Sequence, residues 1–506
     1  MSRRKRSLQN AIVALLSEMV VALVGILLPQ ALILNYGSRT NGLITSLQQL
    51  MQYFTLIEGG LFGAAIFALY KPLADDDTQQ IKRILSAVRR LYTRVGVVYV
   101  LVLFIAAVLY PFFIADSGYP YWVVMLLFCL IGLNGATQMF FIGKYKVLLT
   151  ASQNNRYVVL LNAISTILFS VVIIAASYCH VHILAAVLLG SMAYLFRALC
   201  FWLVTRRLHP EYDFRLRQEP YAFENQREVF VQQVLSMLVM NACILLLSFS
   251  RTDMSEISVF TVYNMVLTAV FMLTNTIPNG VSASFGDLIA RRDKQHLQRV
   301  YAEYELLYQI FWTMVFACVS TLYAPFMSLY TSGITDADYI RPALCVLFSI
   351  MGGAWAIRIQ QSVLIVAAGK YKEIQKNSIA EAVLAVLLPA AGLFAAGLEG
   401  MMAGRTLAAL YRMIDFNRFS HKEVLDISPV VTVKGIVGSA GIIFVVNCLH
   451  HQLMQHVYLG SYVAWAVYAV FVAVSAGALA MIVLGLLYRQ QASELLKRFL
   501  HKRGEP

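Results

Sequence analysis

Arginine and glutamine side chains interrupt one long apolar stretch of this sequence. Arg358, Gln360 and Gln361 lie within residues 340–367, which are otherwise mostly apolar. A charge inside an apolar span is costly and marks a functional site by default. A guanidinium group binds phosphate oxygens through paired, charge-assisted hydrogen bonds. These residues therefore predict a site for a dense anion such as a phosphate group; the alternative is that Arg358 forms a static ion pair with Glu381.

Three more basic residues are candidates for the same site. Lys144, Lys146 and Arg197 lie in or at the ends of other apolar stretches, and an internal repeat aligns Lys144 with Gln360. Corresponding helices would then carry basic and polar groups at similar depth. We expect Lys144, Lys146, Arg197 and Arg358 to line one cavity. The alternative for Lys144 is that its side chain extends to the membrane–water interface.

Two acidic residues, Glu18 and Glu58, lie deep in the first two apolar stretches. A carboxylate at such a depth can bind a proton or a sodium ion in one conformation and release it in another. The alternative is a static ion pair or hydrogen bond that fixes helix packing. Gly59 and Gly60 follow Glu58 directly and would let another backbone approach closely.

A proline interrupts a polar segment in the eighth apolar stretch. Asn275 and Asn279 flank Pro278, which removes one backbone hydrogen bond. Broken polar segments at membrane depth are tolerated where they line a cavity. We expect both asparagines to face a cavity, and packing strain is the alternative.

The composition indicates that membrane helices position these residues. The chain has 506 residues, of which 59% are hydrophobic and 13% charged, and its mean hydropathy is +0.68. Apolar stretches near the length of ~20 residues that crosses a bilayer form helices there. Fourteen such stretches are predicted: 11–34, 43–70, 92–115, 121–143, 157–178, 183–205, 229–250, 257–287, 304–330, 340–367, 377–396, 400–416, 433–450 and 461–488.

An internal repeat divides these helices into two lobes. Residues 73–92 align with 289–308, and residues 148–151 align with 364–367, both at an offset of 216. Duplicated helix bundles are typical of transporters that rock one half against the other. The predicted divisions are an N-terminal lobe 1–205 (helices 1–6), a cytoplasmic linker 206–228, a C-terminal lobe 229–417 (helices 7–12), two extra helices 433–488 and a cytoplasmic tail 489–506.

Basic residues predict the orientation. With the N-terminus in the cytoplasm, 34 of the 40 lysines and arginines lie on the cytoplasmic side, so both termini are expected there. This asymmetry also accounts for the net charge of +13 without a nucleic-acid partner. The seven cysteines form no disulfide framework or CxxC site, and Cys448, His450, His451 and His456 fit no standard metal spacing.

Several enzyme classes lack their signatures in this chain. The sequence has no Walker A motif, no Gly-rich dinucleotide fingerprint and no HExxH. The predicted outer loops are short, which disfavours a glycosyltransferase or polymerase with an external catalytic domain. We expect no enzyme activity, no cofactor and no metal.

Three segments resemble a known family. They are NYGSRTNGL at 35–43, EGG at 58–60 and ALYKPLA at 68–74. Together with the length, the two lobes and an amphipathic segment after helix 2 (residues 72–91), they resemble the polysaccharide-transporter branch of the multidrug/oligosaccharidyl-lipid/polysaccharide (MOP) flippase superfamily. The resemblance implies an all-α polytopic membrane protein of about 14 helices in two pseudo-symmetric lobes (helices 1–6 and 7–12) plus two extra C-terminal helices.

The resemblance also implies a function. Members of this branch move polyprenyl-pyrophosphate-linked oligosaccharide from the inner to the outer leaflet for surface polysaccharide assembly. The implied setting is a bacterial plasma membrane, with membrane lipid and polysaccharide polymerase or assembly proteins as partners. A multidrug or cation antiporter and a lipid II flippase of the same superfamily remain alternatives, as does an assembly partner without transport activity.

Overall fold

The computed structural model describes residues 3–114, 117–212, 226–370, 373–457 and 459–501, and these ranges contain α-helices and two π-helical turns but no strand. The helices are α1 Arg3–Tyr36, α2 Ser38–Ala74, α3 Thr78–Phe113, α4 Tyr121–Thr137, α5 Gly143–Ala151, α6 Asn155–Tyr178, α7 Ile183–Leu208, α8 Gln226–Phe249, α9 Met254–Ala290, α10 Lys294–Tyr330, α11 Pro342–Ala367, α12 Gln375–Phe419, α13 Val430–Met454, α14 Tyr462–Leu487 and α15 Arg489–His501. The predicted all-α polytopic fold is confirmed.

Most of these helices can cross a membrane. Within the described residues, eleven segments are long and apolar enough to do so. One of them, Gln375–Leu425, covers both predicted stretches 377–396 and 400–416. The predicted stretches 43–70 and 229–250 lie on α2 and α8, where shorter apolar segments are found.

Large apolar side chains cover the outer faces of the spans. Phe394 is 86% exposed, Val463 74% and Leu486 71%. A contiguous apolar surface of this kind would cause aggregation in water, whereas lipid tails solvate it. The protein is therefore a multi-pass membrane protein, as its sequence predicts.

The internal repeat is visible in the local backbone. Asp77 is the N-cap of α3 and Asp293 is the N-cap of α10, and each carboxylate accepts a hydrogen bond from the backbone N–H three residues later, at 2.9 and 3.0 Å. The residue before each cap is left-handed, with φ of 53° and 59°. Gln153 and Gly369, at the same offset of 216, are left-handed too, with φ of 62° and 67°. The duplication predicted from sequence therefore recurs as matched turns.

The chain forms two compact units. The first comprises residues 1–262 together with Ile334–Ala337. In it α1 packs on α6, α6 on α7, α3 on α4, α4 on α7 and α2 on α8. Its core is built from apolar side chains of α1–α7. Since most of the predicted linker 206–228 lies outside the described residues, the predicted lobe boundaries stay a prediction.

The second unit comprises Tyr263–Gly333 and residues 338–506. In it α11 packs on α12, while α13 and α14 pack on each other and on α10. Ala317 of α10, Val446 of α13 and Val472 of α14 belong to one fully buried apolar cluster. The two extra helices predicted at the C-terminus are thus packed into this unit through α10.

The segment 35–43, which carries part of the sequence resemblance, forms a tight polar junction in the first unit. Ser38 donates to Asp336 from its backbone N–H at 2.6 Å and from its hydroxyl at 2.7 Å. Asn41 donates to the Ser258 hydroxyl at 2.7 Å. Gly42 meets the Met254 backbone so closely that an added Cβ would lie 1.8 Å from the carbonyl oxygen. The motif thus fixes helix packing at the start of α2.

Replacing Gly42 with alanine should destabilise the protein. The added methyl group would overlap a backbone oxygen that cannot rotate away, and such overpacking costs about 1–3 kcal/mol. Thermal unfolding in detergent measures the effect. The matched control is Gly25→Ala on α1, where a Cβ meets nothing within 4 Å. Equal unfolding temperatures for the two variants would refute the close contact.

Candidate functional site

A sharp break in α12 brings distant polar residues together. The backbone leaves helical geometry at Ala396 and Gly397, where φ is −148° and +62°. The two halves of α12 then run back against each other: a Cβ on Gly392 would lie 2.0 Å from the carbonyl oxygen of Gly400. Only small residues permit such an approach between membrane helices. Side chains from both ends of α12 therefore meet on the face that packs against α11.

Glu381 lies between two arginines at this meeting point. Arg358 of α11 donates from Nη1 to Glu381 Oε1 at 2.5 Å. Arg412, from the second half of α12, places Nε 2.9 Å from Glu381 Oε2. That nitrogen is not aligned for a hydrogen bond, so the contact is an ion pair. The Arg358–Glu381 pair, an alternative for Arg358 in the sequence analysis, is present; a substrate role for Arg358 stays a prediction.

Arg412 is held on its remaining sides as well. It donates from Nη1 to Asp415 Oδ2 at 2.7 Å and from Nη2 to the Ser378 hydroxyl at 2.6 Å. Asn377 in turn donates to the other Asp415 oxygen at 2.5 Å. The Arg412 side chain is only 2% exposed, against 20% for Arg358. Arg412 is thus the buried centre of the cluster, and Arg358 is its accessible edge.

Aromatic rings flank the arginines. The Arg358 guanidinium carbon lies 4.5 Å from the centroid of the Trp355 ring, and that of Arg405 lies 5.9 Å from the same ring. Arg358, Arg405 and Arg412 supply three positive charges, against the two negative charges of Glu381 and Asp415. We call these five side chains the arginine cluster. Its excess of one positive charge in an apolar surrounding favours an anionic ligand.

Gln360 and Gln361 are both completely buried on α11. Within the described part of the chain, neither side-chain amide has a hydrogen-bond partner. A buried polar group left in this state costs about 1–3 kcal/mol. Since Gln361 lies three residues from Arg358 on the same helix, the two amides add unused hydrogen-bonding capacity to this region of α11.

Replacing Gln361 with leucine should stabilise the protein by about 1 kcal/mol, because the substitution removes an unsatisfied amide at nearly constant volume. Thermal unfolding of the purified protein tests this. Gln298→Leu is the control, because the Gln298 amide donates to the Leu425 carbonyl at 2.7 Å and its loss should destabilise. A fall in unfolding temperature for Gln361→Leu equal to that of the control would contradict the unsatisfied state.

The other predicted basic residues lie in the first unit. Lys144 and Lys146 of α5 are half-buried, and the Lys146 ammonium lies 4.4 Å from the centroid of the Phe62 ring. Arg197 of α7 is 8% exposed and donates to Asn134 at 2.8 Å and to Asn162 at 3.3 Å. These contacts join α4, α6 and α7. Substrate contact by any of the three remains a prediction.

The remaining predicted site residues lie on α1, α2 and α9. Glu18 is exposed on α1 and forms no ion pair with any residue that the structure describes. Asn275 is half-buried on α9. The side chains of Glu58 and Asn279 lie outside the described residues, so their roles stay predictions.

Sequence reasoning missed Arg412 and Asp415. Arg412 lies near the end of its apolar stretch and was expected with the cytoplasmic basic residues. The available signal was its spacing: Arg405 and Arg412 are seven residues apart and so lie on one face of a helix. Two arginines on one face of a membrane helix indicate a polar site there.

An apolar cavity lies elsewhere in the second unit. It has a volume of about 360 Å³ between α9, α10 and α14 and is lined by residues such as Val270, Met314 and Trp465. Its size is within the range of ligand sites, and its walls are almost entirely apolar. It suits a hydrocarbon chain rather than a polar group.

Comparisons with known proteins identify the fold. No protein-family model matches the sequence, and no curated protein matches it in sequence. The structure is similar to the lipid II flippase MurJ in an inward closed conformation, with a TM-score of 0.69 at 12% identity over 95% of this chain and 99% of that one. It is also similar to an inward-facing MATE multidrug resistance transporter of the MOP superfamily, with a TM-score of 0.61 at 14% identity over 82% and 98% of the two chains.

A third solved structure has a similar fold. A MATE multidrug transporter in complex with R6G matches with a TM-score of 0.59 at 14% identity, over 84% of this chain and 98% of that one. At such low identity the likeness concerns the fold alone. The chain therefore shares its fold with these solved membrane transporters, and the branch that the segments at 35–43, 58–60 and 68–74 resemble stays a prediction.

Proposed function

We propose that the protein is a flippase that moves polyprenyl-pyrophosphate-linked oligosaccharide from the inner to the outer leaflet for surface polysaccharide biosynthesis. The arginine cluster carries the proposal, because it places an excess of positive charge within membrane helices where a dense anion would bind. The fold shared with a lipid II flippase over 95% of the chain supports it. The finer substrate class rests on the sequence resemblance.

The headgroup would bind at the accessible edge of the cluster. A pyrophosphate can replace Glu381 as the acceptor for the Arg358 guanidinium, while Arg412 continues to neutralise Glu381. Gln360 and Gln361 offer amides that have no other partner among the described residues. Lys144, Lys146, Arg197, Asn275 and Asn279 are further candidates for the sugar and phosphate groups.

The lipid tail would occupy apolar surface. The cavity between α9, α10 and α14 has the lining that a prenyl segment requires, and it places the tail beside one of the two extra helices. Alternating access would then carry the headgroup across the bilayer. Since the sequence has no P-loop, direction must come from an ion gradient or from removal of the product; Glu18 and Glu58 are the proposed coupling residues.

The cellular setting follows from the same proposal. Both termini would lie in the cytoplasm of a bacterium, and the protein would span its plasma membrane. Polysaccharide polymerase or assembly proteins would receive the flipped lipid.

Lipid analysis tests the proposed function. Mass spectrometry should show that a strain lacking the protein accumulates one polyprenyl-pyrophosphate oligosaccharide relative to its parent. Accumulation of lipid II instead would identify the lipid II flippase alternative, which the structural similarity also favours. An unchanged pool of lipid-linked sugars would refute both.

A multidrug or cation antiporter is the second candidate, favoured by the similarity to two MATE transporters. Cationic drugs require acidic or aromatic surroundings, whereas arginines outnumber acids in the arginine cluster. Drug susceptibility of the same two strains separates the candidates: equal susceptibility is expected of the flippase.

A further inference from the structure

Arg405 is a buried arginine whose charge has no counter-ion in the protein. It lies on the second half of α12 and is 7% exposed. Among the residues that the structure describes, no carboxylate forms an ion pair with Arg405 and no group accepts a hydrogen bond from it. A buried charge is costly unless it is paired and hydrogen-bonded. The Arg405 guanidinium therefore requires an anion that the described side chains do not supply.

The acids of this region are bound by other arginines. Glu399, which lies six residues before Arg405 in the sequence, pairs with Arg341 at 3.3 Å. Both acids of the arginine cluster pair with the other two arginines of the cluster. The excess positive charge of the cluster is therefore the charge of Arg405.

The Trp355 ring brings Arg405 near Arg358. Trp355 is half-buried on α11, three residues before Arg358 and so on the same face of that helix. The guanidinium carbons of Arg405 and Arg358 lie 5.9 and 4.5 Å from the ring centroid, so they are at most about 10 Å apart, the sum of the two distances. A distance of 5.9 Å is at the outer limit of a cation–π contact, so the ring compensates the Arg405 charge only weakly.

We propose that Arg405 and Trp355 form an oxyanion subsite beside Arg358, so that the two arginines hold two separate anionic groups of one headgroup. This inference rests on the proposed function, because the headgroup is that of the proposed substrate. A guanidinium group presents paired donors that match the oxygens of a phosphate or a carboxylate. The half-buried indole adds a large apolar surface, against which the C–H face of a sugar ring can pack.

Two parts of the headgroup carry such an oxyanion. One is the second phosphate of the pyrophosphate, and the other is a carboxylate on the attached sugar. Arg358 is assigned to the first phosphate, and both other groups lie close enough to that phosphate to reach a second arginine at most about 10 Å away. Arg405 binds an oxyanion in either case, and a set of soluble probes separates the two sources.

Isothermal titration calorimetry of the full-length protein in nanodiscs of zwitterionic lipid tests the subsite with UMP, UDP, UDP-glucose and UDP-glucuronate. UDP has one phosphate more than UMP, and UDP-glucuronate has one carboxylate more than UDP-glucose. The wild type should bind the more anionic member of one pair at least tenfold more tightly, which is the effect of one charge-assisted hydrogen bond. Arg405→Leu should abolish this preference, and Arg405→Lys should keep part of it because it keeps the charge.

Each outcome of the titration has one meaning. Loss of the preference for UDP in Arg405→Leu assigns Arg405 to the second phosphate, and loss of the preference for UDP-glucuronate assigns it to the sugar carboxylate. Affinities that are unchanged for all four probes would overturn the subsite, while the headgroup site at Arg358 and the proposed function would stand. No binding of any probe by the wild type would overturn the subsite and the headgroup site together.

Thermal unfolding in the absence of added anions is a second test. Arg405→Leu should unfold at a temperature no lower than the wild type, because the substitution removes a buried charge that has no counter-ion. The matched variant is Arg412→Leu, seven residues further along the same helix, which removes an arginine paired with two carboxylates and should unfold at a much lower temperature. A similar fall for Arg405→Leu would show that Arg405 has a structural role, and it would overturn the proposal.

Discussion

Replacing Arg412 with leucine should lower the free energy of unfolding by about 3–5 kcal/mol, which is the cost of breaking a buried ion pair by removing one partner. Arg412 contacts both Glu381 and Asp415, and its side chain is 2% exposed. Without it, Asp415 loses its arginine, and Glu381 keeps only the contact with Arg358. The expected result is a much lower unfolding temperature in detergent, or loss of the folded protein on expression.

The control for this variant is Arg299→Leu. Arg299 forms a surface ion pair with Glu494 at 3.8 Å, with its side chain 60% exposed, and such pairs contribute about 0–1 kcal/mol. A conservative double variant, Arg412→Met with Glu381→Gln, should recover part of the lost stability because it removes a charge together with its partner. If Arg412→Leu were as stable as Arg299→Leu, the cluster would not be the buried network described.

Replacing Arg358 with alanine should reduce transport at least tenfold while the protein stays folded. The loss of one charge-assisted phosphate contact is worth about 1.5–3 kcal/mol, which is roughly a factor of 10–150 in binding. The stability cost should be smaller than for Arg412→Leu, because Glu381 keeps its ion pair with Arg412. Transport is measured by expressing the Arg358→Ala variant in the strain that lacks the protein and asking whether the lipid-linked oligosaccharide still accumulates. The unfolding temperature of the purified variant is measured alongside.

Two variants serve as controls for Arg358. Arg358→Lys keeps the charge but loses the paired hydrogen bonds, so its activity should be intermediate. Arg291→Ala removes an arginine that is 71% exposed and paired with Asp287, and transport should be unaffected. If Arg358→Ala prevented the lipid accumulation as fully as the wild type, Arg358 would not contact the substrate, and its role would be limited to the ion pair with Glu381.

Sequence reasoning was most successful for the helices. An apolar stretch long enough to cross the bilayer must satisfy its own backbone hydrogen bonds there and therefore forms a helix. The all-α fold thus followed from composition and length. The repeat was visible because Asp77 and Asp293 cap equivalent helices. The break at Gly397 was anticipated only as the gap between stretches 377–396 and 400–416.

The candidate site was predicted in part. Arg358 and Glu381 were recognised because an ionisable residue in an apolar stretch is conspicuous. Arg412 and Asp415 were missed because they lie near the end of a stretch, where sequence gives no measure of burial.

Reconstituted transport tests the central claim most directly. Purified protein would be placed in liposomes that carry a labelled polyprenyl-pyrophosphate oligosaccharide, and the fraction of label accessible to a membrane-impermeant reagent would be followed with time. The account predicts that the wild type equilibrates the label between the leaflets and that Arg358→Ala does so at least tenfold more slowly. Label that stays as inaccessible with the wild type as in protein-free liposomes would contradict it.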